Sequence, residues 1–368
     1  MSDLPAHLAS LRPHFDAQVC AHLGAYADSW RNTPALDEVF TILSSALAGG
    51  KRMRAILGAI GYAYASEFGA YKLALTSPQA AALGAALEFY QASALVHDDV
   101  IDHALTRRGQ VATHVAFSKL HGDNGWRGND SDFGGAAAIL AGDALLAWGG
   151  DLVTQASEVT GNYGAVNAFN HMCAEVALGQ YLDVRNENLP LNGSDGEQMV
   201  SQSLAVIKHK SARYSVACPL IIGALLAGAS PDSPAVKALE TYGENVGAAF
   251  QLRDDELGVF GSSKVTGKPV GGDIREGKRT VLVGLTWQLT GANGRALLSD
   301  VVGNTNASEM QIAAVANLMK DCGAYQKHEQ LINDYLTRGL ACLSHDTLGA
   351  STIADLQVLA QVLTIRQA

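Results

Sequence analysis

The stretch QASALVHDDVIDHALTRRG, residues 91–109, ends a long apolar run of small side chains and begins a polar, doubly basic one. Read as helix, it sets Asp98 and Asp102 four residues apart, so both carboxylates leave one helical face at the same edge. Like charges that close repel, and a divalent cation with oxygen ligands is the usual way to hold them together. Carboxylates at a helix C-terminus also oppose the macrodipole, which strengthens the demand for a cation. Arg107 and Arg108, one or two turns on, offer forked donors suited to phosphate oxygens. Metal and arginines together read as a diphosphate site. The acidic string alone reads equally as a solvated helix end.

Outward from this stretch, segment after segment has helical rather than alternating spacing, and Ala and Leu dominate where Val-Ile-Thr runs are scarce. The expected class is all-α. Helical spacing covers residues 4–29, 36–48, 51–68, 78–103, 110–120, 135–158, 165–184, 196–228, 233–260, 279–290, 308–342 and 352–366. Polar clusters rich in Gly, Asn, Asp and Pro break it at 121–135, 186–196, 228–234 and 261–273, and none has the composition of a domain linker. A single helical domain over 1–368 is the economical expectation. The Ala- and Gly-rich stretches 83–96 and 133–148 let helix axes approach closely.

With 368 residues, 48% hydrophobic and 17% charged, the chain can bury a sizeable core. A net charge of -10 argues against a general nucleic-acid or anionic-membrane binder, so anionic ligands need local basic clusters or metal. The five scattered cysteines lack CxxC spacing and read as reduced core thiols. The N-terminus has no signal-peptide pattern, which makes a cytoplasmic location the expectation. The longest unbroken apolar run, 218–229, is shorter than the roughly twenty residues a bilayer demands, so no transmembrane segment is expected.

Two further features carry chemistry. QLRDDELGVFG, 251–261, ends a second long helical stretch with Asp254 and Asp255; it is either a partner acidic site facing the first across a cavity, or surface charge neutralised by Arg253. Basic groups recur at GGKRMR, 49–54, where Lys51 and Arg54 open a helix whose free N–H groups favour anions. They recur again at KHKSARY, with Lys208, Lys210 and Ser211, and at GKPVGGDIREGKRT, with Lys268 and Lys278.

The ordered set GGKRMR, LVHDDVIDHALTRRG, ILAGD, KHKSA, FQLRDDELG and GKPVGGDIREGKRT resembles the trans-prenyltransferase, or polyprenyl diphosphate synthase, family over about residues 40–290. The resemblance implies an all-helical isoprenoid synthase fold around a deep cavity, commonly as a homodimer, and isopentenyl and allylic diphosphates as substrates. It implies Mg²⁺, three ions per site, on Asp98, Asp102 and Asp254, with Asp99 and Asp255 as supporting acids. Arg107 would meet the allylic diphosphate and Arg108 the isopentenyl diphosphate. Lys51, Arg54 and Gln91 match positions that hold isopentenyl diphosphate; Lys210, Ser211, Gln251, Lys268 and Lys278 match positions around the allylic one. Ser211 stands where the family more often has Thr. Gly258 stands where it usually has a third Asp, which should leave Asp254 with weaker support.

The expected chemistry is ionisation, condensation and elimination, with charge on the departing diphosphate stabilised by Asp-bound Mg²⁺, Arg107, Lys210 and Lys268. His97, His103 and His114 are expected in structural roles. Ser93 and Ala94 lie about one turn below the metal edge and Phe89 and Tyr90 a further turn down. In the family, small residues one turn below favour longer products, so geranylgeranyl diphosphate is the expected product, with farnesyl and geranylfarnesyl as neighbours; the two aromatics read equally as a floor or as packing against another helix. The alternatives are a terpene cyclase of the same fold, which has no need of GGKRMR, Gln91 and Arg108, and a non-catalytic subunit of a synthase, for which Gly258 speaks.

Overall fold

A computed structural model describes residues 5–66, 68–261 and 271–364 of the chain. In chain order the helices are α1 Ala6–Ala9, α2 Leu11–Ser29, α3 Leu36–Leu47, α4 Met53–Tyr62, α5 Phe68–Leu75 and α6 Pro78–Ile101. A two-stranded hairpin follows, β1 Thr106–Arg107 and β2 Gln110–Val111, and then α7 Thr113–Asp123, α8 Asp130–Thr160, α9 Gly164–Glu187 and α10 Gly196–Val206. A π-helical segment, Ile207–Ala217, leads into α11 Cys218–Leu226 and α12 Pro234–Phe260. The rest are α13 Gly272–Glu276, α14 Val281–Leu289, α15 Ala292–Val301, α16 Glu309–Asp321, α17 Ala324–Ala341 and α18 Ala350–Thr364.

The all-α expectation holds, with differences at the ends and breaks of helices. The stretch read as one helix over 308–342 is two, divided at Gly323, which takes φ 85°. That over 51–68 stops at Tyr62, and α5, α13 and α15 lie where no helix is expected. The hairpin is likewise unforeseen.

By packing, the chain resolves into two compact units. The first comprises Met1–Asn170, Pro219–Val236 and Gly349–Thr352. Its centre is α6, which begins with Pro at N1 and the Ser77 hydroxyl accepting from Ala80 N–H, the pairing that relieves the free donors of a helix start. Fifteen of its residues are buried, among them Leu83, Leu87 and Phe89, because α2, α4 and α8 all pack on it. The small residues of ILAGD explain part of that closeness: a β-carbon at Gly142 of α8 would overlap the His97 ring of α6. His97 Nε2 instead lies 3.1 Å from the Ile139 carbonyl, the structural role expected for it. Helix α8, 31 residues long, is apolar and long enough to cross a membrane by length and composition. A count of unbroken apolar runs passes over it because Asp143 and Asp151 interrupt the sequence.

The second unit comprises His171–Cys218, Lys237–Leu348 and Ile353–Ala368. Its core gathers Leu252, Val259, Val281, Leu285, Trp287, Leu298, Val315 and Ile332. Ser308 and Gln311 form a capping box at the start of α16, and Thr280 caps α14 through Val283 N–H. All five cysteines are free; Cys218 is buried and Cys20 exposed, so the core-thiol reading fits the former and not the latter.

Candidate active site

In the first unit the last turn of α6 carries Asp98 and Asp99, and Asp102 is its C-cap, its N–H donating to the Asp98 carbonyl at 2.8 Å. The chain then turns back through β1 and β2, which pair Thr106 with Val111 and Arg107 with Gln110. Arg108 and Gly109 form the two-residue loop at φ 54° and 74°, both left-handed, as a tight hairpin of matching twist demands. Arg107 is thereby folded back onto the acidic turn. Its Nε donates to Asp99 Oδ1 at 2.7 Å, and its Nη2 donates to the same oxygen and to Asp98 Oδ2, the latter at 3.2 Å. Asp99 is buried, which pushes its carboxyl up, while Arg107 pulls it down. Among the described residues no three His, Cys, Asp or Glu side chains are gathered as a metal cluster.

Arg108 sits over the GGKRMR turn: its Nη1 comes 2.8 Å from where a β-carbon at Gly50 would lie, and the φ of 90° at Gly50 favours glycine there. Partial desolvation lowers the Arg108 pKa; Glu88 opposes that, while Arg54, Arg52 and Arg107 add repulsion. Basic groups from two separated motifs, GGKRMR and the 91–109 stretch, are thus brought into electrostatic range of one another. Gln91 and Ser93 are buried on α6, Ala94 is half-buried, and Lys51 is exposed. A cavity of about 250 Å³ lies alongside, lined by Ile42, Ser45, Gly50, Val96, Asp99 and Arg108 among others. Phe89 and Tyr90 are buried, Phe89 with its ring 6.1 Å from Tyr26 and Tyr90 edge-on to Phe169 at 5.9 Å. His114 has its pKa lowered by burial.

In the second unit Lys210 and Ser211 lie on the π-helical segment, whose wider turn is a recurrent mark of functional sites. Lys210 Nζ donates to Asp183 Oδ2 at 2.5 Å, and Asp183 is a site neighbour that sequence reasoning missed because it lies in no motif. The next turn is anchored by Arg213, which bonds Glu175, Glu240 and Glu244. On α12, Gln251 Nε2 donates to Asp255 Oδ1 at 2.8 Å. Burial, and then repulsion from Asp273, Asp254 and Asp183, raise the Asp255 carboxyl well above the carboxylate range. Lys278 Nζ lies 3.4 Å from Glu276 Oε2. Lys268 lies outside the described residues.

Two expectations about the second acidic pair are corrected. Arg253 does not neutralise it; that guanidinium bonds Glu256 and Glu329, with Nη2 3.1 Å from Glu329 Oε2. Nor is the place of the missing third acid empty. A β-carbon at Gly258 would overlap the carboxylate of Asp273, so an acid from the motif GGDIREGK fills the volume that a side chain at 258 would take.

A polyprenyl synthetase family model matches residues 36–319, and the chain belongs to that family. It is similar to the geranylgeranyl diphosphate synthase of Sulfolobus acidocaldarius, 31% identical over 277 residues, 74% of each chain. It is 32% identical to the geranylfarnesyl diphosphate synthase of Aeropyrum pernix, over 81% of this chain and 84% of that one. Among solved structures it resembles the geranylgeranyl pyrophosphate synthase of Corynebacterium glutamicum, complexed with isoprenyl diphosphate and magnesium. The TM-score is 0.84 and the identity 35%, over 96% of this chain and 99% of that one. The fold is the isoprenoid synthase fold, and the protein is a polyprenyl diphosphate synthase, a transferase of prenyl groups.

Proposed function

We propose that the chain condenses isopentenyl diphosphate with an allylic diphosphate in the presence of Mg²⁺, giving geranylgeranyl diphosphate. The observation that carries this reading is the hairpin 106–111. It holds Arg107 on the acidic turn of α6 and Arg108 over the GGKRMR loop, so two adjacent arginines serve two different anion sites. A synthase with two diphosphate substrates needs that division.

The residues fit a hard cation. Their donors are carboxylate oxygens, and the repulsion from Asp273, Asp254 and Asp183 that adds to burial in raising Asp255 is the kind a bound cation relieves. Asp98 and Asp102 would hold Mg²⁺, as would Asp254, three ions in all. Bound Mg²⁺ supplies stabilisation of the charge that develops on a departing diphosphate. Arg107 would turn from Asp98 and Asp99 to the allylic diphosphate, and Lys210, Ser211, Gln251, Lys268 and Lys278 would bind that same group. Lys51, Arg54, Gln91 and Arg108 would orient isopentenyl diphosphate so that its double bond meets the allylic cation. The proton lost afterwards passes to the released diphosphate, so no protein base is required.

For product length, Ser93 and Ala94 leave room one turn below Asp98, and Phe89 and Tyr90, fixed by Tyr26 and Phe169, act as the floor. Exposed Ile139 and Leu140 on α8, and Leu178 and Tyr181 on α9, support a homodimer, since large apolar side chains grouped on helices favour burial against a partner. The deciding experiment incubates the purified chain with Mg²⁺, labelled isopentenyl diphosphate and each allylic primer in turn, then sizes the products. A C20 product is expected. Products confined to C15 overturn the length assignment, and no consumption of isopentenyl diphosphate overturns the reaction.

A further inference from the structure

Between Lys51 and Arg54 stands Arg52, a residue to which the proposed reaction gives no part. It is the N-cap residue of α4, in the left-handed region at φ 54°, and it follows Gly49 and Gly50 at φ 74° and 90°. A side chain rarely tolerates that conformation, so something must hold it there. What holds it is its own guanidinium, only 4% exposed. Nε donates to Asp16 Oδ1 at 2.7 Å, Nη1 to Glu88 Oε2 at 3.0 Å, and Nη2 to the Leu47 carbonyl at 2.7 Å. Turned inward, Arg52 makes no side-chain cap for its own helix. Glu88, 5% exposed on α6, reaches the same helix start instead, its Oε1 accepting from Ala55 N–H at 3.4 Å. One buried ion pair therefore ties the loop before α4 to the helix that carries Gln91 one turn further on.

We propose that Arg52, with Glu88 and Asp16, is the positioning device of the isopentenyl diphosphate site: it fixes the turn that presents Lys51 and Arg54 beneath Arg108. A planar fork with donors in three directions fixes a turn's orientation, whereas an ammonium group fixes only a distance. The device acts on one substrate only, because the loop it holds carries none of the groups assigned to the allylic diphosphate. The inference rests on the assignment of Lys51 and Arg54 made above.

The test is steady-state kinetics on Arg52→Lys, with each substrate varied in turn, thermal unfolding alongside, and calorimetric binding of isopentenyl thiolodiphosphate. Arg52→Lys is expected to raise KM for isopentenyl diphosphate at least tenfold, leave KM for the allylic substrate within twofold, and leave kcat at saturation within about threefold. The thiolodiphosphate should weaken in parallel. Asp16→Asn, which removes the charge of the outer partner while keeping an acceptor oxygen, should raise the isopentenyl KM about threefold, and it decides the matter if Arg52→Lys does not fold. Unchanged KM values, or equal rises for both substrates, overturn the proposal even where the melting temperature falls. Lys51→Ala separates the two assignments: if it too leaves the isopentenyl KM unchanged, the substrate assignment fails rather than the positioning role.

Discussion

The acidic turns of α6 and α12 begin as nearly the same words, HDDVID and RDDELG, and the fold gives them opposite surroundings. At α6 the carboxylates of Asp98 and Asp99 are met by an arginine that a two-residue loop folds back onto them. At α12, Asp255 is crowded by Asp254, Asp183 and Asp273, and the nearest arginine in sequence, Arg253, is engaged elsewhere. At the first turn an arginine of the following hairpin meets the carboxylates directly; at the second, Lys210 pairs with Asp183, and burial with the neighbouring acids raises Asp255. Charge pairing in a protein is decided by what the fold brings near, since Coulomb attraction falls with distance and not with sequence separation.

The comparison can be broken by experiment, beginning with the largest effect. Asp98→Ala or Asp102→Ala, and separately Asp254→Ala, should each lower turnover by about a hundredfold or more with the melting temperature held, as expected when a ligand to a charge-stabilising metal is lost. If Asp254→Ala is tenfold milder than the other two, the second turn is an accessory site. Next comes Gly258. Gly258→Asp restores the family's usual residue yet should lower turnover about tenfold and raise the Mg²⁺ needed for half-maximal rate, because its β-carbon displaces Asp273. The double change Gly258→Asp with Asp273→Gly should recover part of that loss; no recovery means that Asp273 does not act in place of the third acid.

A third effect concerns stability in the second unit. His328 is fully buried with neither ring nitrogen hydrogen-bonded, and burial lowers its pKa to about 4. Its folded value lies below its ordinary 6.5, so its contribution is present above pH 6.5 and is lost as pH falls through 4, about 3 kcal/mol in all. Glu256 runs the other way. Burial and a hydrogen bond with Glu329 raise it to about 7 from 4.5, so its contribution is present below pH 4.5 and fades as pH rises through 7. Denaturant unfolding of His328→Leu between pH 3.5 and 7 should show a flatter acid limb than the parent; an unchanged limb breaks the assignment. The smallest effect on rate is expected from Ser93→Phe, which should shorten the product by one isoprene unit while turnover changes by less than about tenfold. Ser93 is buried on α6, and added bulk there shows in product size before rate.

Much of this was legible without coordinates. Helical spacing declared the class, because a 3.6-residue period is written in the order of side chains. Asp98, Asp102 and the two arginines stood out together as a candidate diphosphate site, since carboxylates beside forked cations suit metal and phosphate, and the fold does bring Arg107 onto that acidic turn. Other parts were not legible. The division of Arg107 and Arg108 between two groups came only from the family resemblance; the hairpin that turns Arg107 onto Asp99 and sets Arg108 over Gly50 was not legible, and its sole local signal was Gly109 after two bulky cations. Asp183 belongs to no motif and meets Lys210 only across packed helices. Gly258 read as a deficit because the carboxylate that fills its place is fifteen residues away in the chain.

The sequence by itself determined the helices, the family motifs and which residue types stand ready for diphosphate and metal, because those are properties of local order and chemical identity. Only the tertiary structure decided which charge answers which. It turned Arg52 inward to Glu88, Arg107 onto Asp99 and Asp273 toward Gly258. The reason is that burial and distance set the strength of every such pairing, and both are created when helices pack rather than when residues are strung together.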